Sequence, residues 1–176
     1  MDSEHRELEP VNPGGQTAAS ERNYTSSGPQ PHQLHQAQDA LFKSLFAESI
    51  LHTIAGQIER ISTINQLPAL KSVFEEDLQT GNHSLIAQGC LQRLGCHDWH
   101  GTILSQLVDS LYQARRHHRI KRGYLLELKR TAPTDARPAV ENWIHWVDYA
   151  ETLLQEAMIY TQELIGTQAW NRYAPK

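Results

Sequence analysis

The sequence predicts an all-α protein: an antiparallel helical bundle of about five helices, three long and two short, behind a disordered N-terminal tail. Three observations carry this. Apolar residues recur at spacings of three and four from about Leu34 to Ile165, the period of a helix with one buried face. No segment alternates apolar and polar residues between hairpin turns, so no sheet is expected. The first 33 residues carry only Met1, Leu8, Val11, Ala18, Ala19 and Tyr24 from the apolar set. Pro10, Pro13, Gly14, Gly15, Gly28, Pro29 and Pro31 interrupt them, and so polar a segment cannot offset its ordering entropy by burial.

The elements follow in order. Leu41, Phe42, Leu45, Phe46, Ile50, Leu51, Ile54, Ala55, Ile58 and Ile61 form one broad stripe, opposite Gln36, Asp39, Lys43, Glu48, Gln57 and Glu59. Asn65-Gln66-Leu67-Pro68 ends this first long helix, because the residue before proline avoids the helical region. Pro68 suits the first turn of a short helix with Leu70, Val73, Phe74 and Leu78 inward, stopped by Gly81-Asn82. Ser84 opens a second short helix carrying Leu85, Ile86, Cys90, Leu91 and Leu94, closed by Gly95. Asp98 is a fair N-cap for the next long helix, with Ile103, Leu104, Leu107, Val108, Leu111 and Tyr112 inward and a break possible at Gly123. After the Thr131–Pro138 turn, the last long helix runs from Pro138 to Ile165 in a near-heptad pattern, and Gly166 stops it. The expected organisation is a tail over 1–33, a bundle over 34–170 and a C-terminal tail over 171–176.

With 176 residues and a net charge of −4, the chain suits one domain plus a tail. Two cysteines are too few for a disulfide framework and fit a reducing compartment. The start, Met1-Asp2-Ser3-Glu4-His5, has neither a basic nor an apolar leader region, and no run reaches the length of a membrane span. An intracellular protein, cytoplasmic or nuclear, with no membrane partner is expected. Asn23 and Asn82 begin Asn-x-Ser/Thr triplets, chance matches in that setting.

Seven of the sixteen Lys and Arg residues lie between Arg115 and Arg130: Arg115, Arg116, Arg119, Lys121, Arg122, Lys129 and Arg130. On a helix, Arg115, Arg119, Arg122 and Lys129 share a face. Such a stripe can follow a nucleic-acid backbone by charge-assisted bonds to phosphate. His117 and His118 add charge as pH falls, and Tyr124 can stack on a base. The competing reading is internal neutralisation. From Asp135 to Glu163 the acids Asp135, Glu141, Asp148, Glu151, Glu156 and Glu163 face a single base, Arg137, and neighbouring antiparallel helices bring such faces together.

A second constellation is His83, Cys90, Cys96 and His100. The Cys-x5-Cys-x3-His spacing resembles the second half of a CCCH zinc finger, with His83 roughly where its first Cys would stand. That resemblance implies a structural zinc site, although a CCCH finger has three thiolates and this set has two. The intervening residues also read as a helix, in which Cys90 is a small buried hydrophobe.

The Glu-x-x-His pairs of a di-iron bundle are absent from the helical region, and no nucleophile motif, phosphate loop or dinucleotide fingerprint occurs. Trp143, Trp146 and Tyr149 cluster on the last helix. They form either a wide core stripe or an oligomer or partner interface.

The reading is a non-enzymatic protein without cofactor that binds nucleic acid, RNA or DNA, or another polyanion through the basic stripe, as an oligomer. One alternative is a helical adaptor or regulatory protein that takes a protein partner on its apolar-aromatic surface or its tail. The other is a small helical protein built around zinc.

Overall fold

The computed structural model describes residues 31–59 and 68–176. Five helices follow one another: α1 (Pro31–Glu59), α2 (Pro68–Gly95), α3 (Gly101–Thr131), α4 (Arg137–Ile165) and α5 (Thr167–Tyr173). Among the described residues there is no strand. The expected disordered tail lies outside these residues except for its last three, which open α1. The predicted end of the first helix at Asn65–Pro68 falls partly outside them too.

α1 to α4 form an up-down-up-down four-helix bundle. One apolar cluster joins the N-terminal parts of α1 and α3 to the C-terminal parts of α2 and α4, through Leu41, Leu91, Leu107 and Leu154. A second joins the opposite ends, through Leu51, Val73, Leu125 and Val147. Each helix therefore runs antiparallel to its chain neighbour, as short connections favour. α1 packs most closely on α4, and α2 on α3.

Four long helices and one short one replace the predicted three and two. α2 runs unbroken through Gly81 and Asn82. Its buried residues Val73, Asp77, Thr80, Ser84, Ala87, Leu91 and Leu94 keep alternating steps of four and three across that point. The packed face thus outweighs the roughly 1 kcal/mol that a mid-helix glycine costs. α3 likewise continues through Gly123. Asp98 is not its N-cap: His100 holds that position, and Asp98 accepts from the Arg93 guanidinium, Nε to Oδ2 2.8 Å, in the connecting turn. His97 takes a φ of 63° to make that turn.

Gly166 ends α4 as predicted, with φ 84°, a conformation that suits glycine. The chain then re-enters as α5 rather than leaving as a tail. Trp170 is buried, 5.6 Å from Tyr112 between ring centroids, and the Tyr173 hydroxyl rests against Gly101, where a β-carbon would meet it at 2.9 Å.

The largest departure is in α1. Its core face carries Ala37, Ala40, Leu41, Ser44, Ala47, Glu48, Leu51 and Ile54. Glu48, expected outside, is inside. Phe42 and Phe46, expected inside, point outward at 62% and 61% exposure. α1 is apolar on two faces, so its composition does not single out the buried one. The alternating steps of four and three from Ala37 through Leu41, Ser44 and Glu48 to Leu51 do.

Candidate functional site

Seven of the nine buried polar side chains among the described residues meet at one level, between the two apolar clusters. α1 contributes Ser44 and Glu48, α2 contributes Asp77, Thr80 and Ser84, and α3 contributes His118 and Lys121, all buried. Lys121 Nζ lies 2.6 Å from Asp77 Oδ1 and 3.6 Å from Glu48 Oε2. His118 Nε2 stands 2.6 Å from Glu48 Oε1, a close electrostatic contact whose N–H is not aligned as a hydrogen bond. From the rim, His52 Nδ1 approaches Asp77 Oδ2 at 3.2 Å. Ser44 Oγ donates to the Ala150 carbonyl at 3.1 Å, tying α1 to α4 at the same height. Glu48 thus reaches across the bundle diagonal to α3.

Burial by itself would raise the Glu48 carboxyl. The contact with His118 and the charges of Lys121, His118 and His52 outweigh it and hold the group below its ordinary value of 4.5. The sign follows from linkage: a carboxylate depressed in the folded state stabilises above its unfolded pKa, and that stability is lost as pH falls through the folded one. Acid unfolding is expected to steepen below about pH 4.5 in the wild type and less so in Glu48→Gln, as circular-dichroism melts across that range would show.

The basic stripe forms, but it turns toward α4. Arg115 Nε lies 3.7 Å from Glu151 Oε1, and its Nη2 donates to Gln155 Oε1 at 3.3 Å. Arg119 Nε donates to Glu151 Oε1 at 3.2 Å, Arg122 Nη2 to Asp148 Oδ2 at 3.3 Å, and Lys129 Nζ pairs with Glu141 Oε1 at 3.0 Å. The partnership with Asp148 raises the Arg122 guanidinium above its ordinary value. Arg116 and Arg130 are exposed. Lys121 is not part of any surface stripe. Its place three residues after His118 and four before Leu125 puts it in the core phase, and that spacing is the signal the charge cluster obscured.

The zinc constellation is not assembled: among the described residues no three His, Cys, Asp or Glu side chains converge as metal ligands would. Cys90 is buried, its thiol 3.7 Å from Gln106 Oε1, and burial pushes it up; Cys96 is exposed in the turn. His83 stacks on His117 instead.

Of the aromatic trio, Trp143 is fully buried against Phe74, with centroids 5.8 Å apart, so it cannot serve an interface. Trp146 is half-buried and meets Tyr149 edge to face at 5.8 Å, and Tyr149 is 48% exposed. The Ser44–Ala150 bond sets α1 against α4 so that Phe42 and Phe46, flanking Ser44, stand near the height of Tyr149. Lys43, between the two phenylalanines, pairs with Asp39 and lies within electrostatic reach of Tyr149 and Glu156. Exposed aromatic side chains thus stand on both α1 and α4 at about this height. Sequence reasoning found those of α4 and assigned those of α1 to the core.

Comparison with protein-family models, with curated proteins and with solved structures finds no match.

Proposed function

We propose that the protein is a non-enzymatic helical binding module that recognises a protein chain, in the first place a second copy of itself, through Phe42, Phe46 and Tyr149. The observation that carries this is the inversion of α1, which buries Glu48 and turns two phenylalanines to solvent. Two large apolar side chains one turn apart on the same outer face of α1 have the character of a protein-binding surface rather than of scattered surface residues. Where the same patch on two copies pairs with itself, the assembly closes as a two-fold dimer. The polyanion reading has less support. Four of its seven bases are engaged by acids of α4 and Lys121 lies in the core, leaving Arg116, Arg130 and the outer side of Arg119 as its basis.

Sedimentation equilibrium of the full chain tests this. Wild type is expected to associate with rising concentration. Phe42→Ser/Phe46→Ser/Tyr149→Ser is expected to stay monomeric with an unchanged melt, since surface substitutions of this kind shift stability by about 0.5 kcal/mol or less. A wild type that stays monomeric throughout overturns the self-association. Tight, steeply salt-dependent binding to single- or double-stranded nucleic acid, lost in Arg116→Ala/Arg119→Ala/Arg130→Ala and kept in the serine variant, would move the function to the polyanion class.

A further inference from the structure

His83 on α2 and His117 on α3 lie beside the buried polar layer, each next in sequence to one of its members, Ser84 and His118. Their rings are stacked nearly parallel, 8° apart in plane, with centroids at 5.5 Å. Glu76 compensates only one of them: its Oε2 lies 2.6 Å from His117 Nδ1, whereas His83 Nδ1 is buried without a hydrogen-bond partner. We propose that this waist of the bundle is an acid-operated latch, in which charging the unpartnered His83 against the stacked His117 ring drives α2 and α3 apart at the level of the buried polar layer.

The physical case is one of unequal cohesion along the helices. At both ends, α2 and α3 are held by apolar clusters that do not titrate. At the waist they are held by charges. Two facing imidazolium rings repel at a distance where two neutral rings stack, and the interior strengthens that repulsion. Every element packed there bears on the pair. α1 presents Glu48 and His52, α2 presents Glu76 and Asp77, and α3 presents Asp109, His118 and Lys121, with Arg116 outward. α4 presents the uncharged Ala150, its acids Asp148 and Glu151 being engaged by Arg122 and Arg119. Glu48 and Asp77 already face Lys121 and His118, so they offer a second imidazolium little compensation. Burial and then the charge of His117 hold His83 below its ordinary 6.5, and Asp109 only partly opposes them. A histidine so depressed costs the fold stability as pH drops below 6.5, well before Glu48 titrates. The two acid events are therefore separate.

Amide hydrogen exchange on the full chain, at about pH 7.5 and about pH 5.5 and corrected for intrinsic rates, tests the latch. Protection is expected to fall about tenfold in α2 from Asp77 to Ala87 and in α3 from Ala114 to Lys121, as a local opening at this level allows. The apolar ends of both helices keep theirs. His83→Gln is expected to match wild type at the higher pH and to lose the local drop at the lower one. His83→Phe, which keeps a ring to stack, is expected to do the same and serves if the first variant folds poorly. No drop in wild type, a drop spread evenly along both helices, or an undiminished drop in the His83 variants overturns the proposal.

Discussion

Lys121→Ala is expected to lower the unfolding free energy by about 3–5 kcal/mol, the range found when one partner of a buried ion pair is removed. Lys121 is fully buried and is the shared cation of Asp77 and Glu48. Without it, Asp77 keeps only His52 at the rim and Glu48 keeps only His118. Two carboxylates are then left in a core that cannot solvate them, and one must take up a proton or admit water. For a chain of this size that corresponds to a fall of roughly 10 °C in melting temperature. Urea denaturation near neutral pH measures it, and a loss under about 1 kcal/mol would mean the layer is wet and the pair worth no more than a surface bridge. Removing Arg122, whose pair with Asp148 is about 40% exposed on each side, makes the contrast: a change of about 1 kcal/mol or less is expected there.

Trp143→Ala is expected to cost about 3–5 kcal/mol, as for other large aromatics removed from a packed core. Trp143 is the bulkiest fully buried side chain and sits at the centre of the cluster formed with Leu51, Val73, Leu125, Val140 and Val147. Trp143→Phe separates its two contributions. The indole N–H has no partner in the core, so phenylalanine loses volume but relieves an unpaired donor. A cost of about 1.5 kcal/mol or less is expected for it. Calorimetric melts of the two variants distinguish packing from any interface role. If both left the melt unchanged while weakening self-association, Trp143 would have to be a surface residue after all.

How far the sequence predicts this molecule depends on which signal each helix offers. α4 was legible because its buried row, from Val140 through Val147 and Leu154 to Thr161, keeps a strict seven-residue step, and because Gly166 supplies a stop of known chemistry. The pairing of Arg115, Arg119 and Arg122 with the acids of α4 was foreseeable as one of two outcomes, since charge counts identify the partners but not the way a face turns. α1 misleads because residue type and phase disagree within it: Phe42 and Phe46 are apolar but out of register, and Glu48 is charged but in register. Lys121 fails for the same reason inside a basic run. His83 is the clearest limit. Its ring meets His117 across 34 positions of sequence, and no local spacing encodes that encounter.

The buried polar layer also fixes the alignment of the helices along their length. Most positions of the four core stripes hold Leu, Val, Ile or Ala, and a helix slipped by seven residues would still present an acceptable face to its neighbours. Glu48 removes that freedom. Slip α1 by one heptad either way and its carboxylate enters one of the two apolar clusters, while Lys121 and His118 face an alkyl side chain. A single charged residue at a core position is known to set register in helical assemblies at a cost in stability. Here three helices share that task at one height, so the chain has one alignment in which its interior charges all meet.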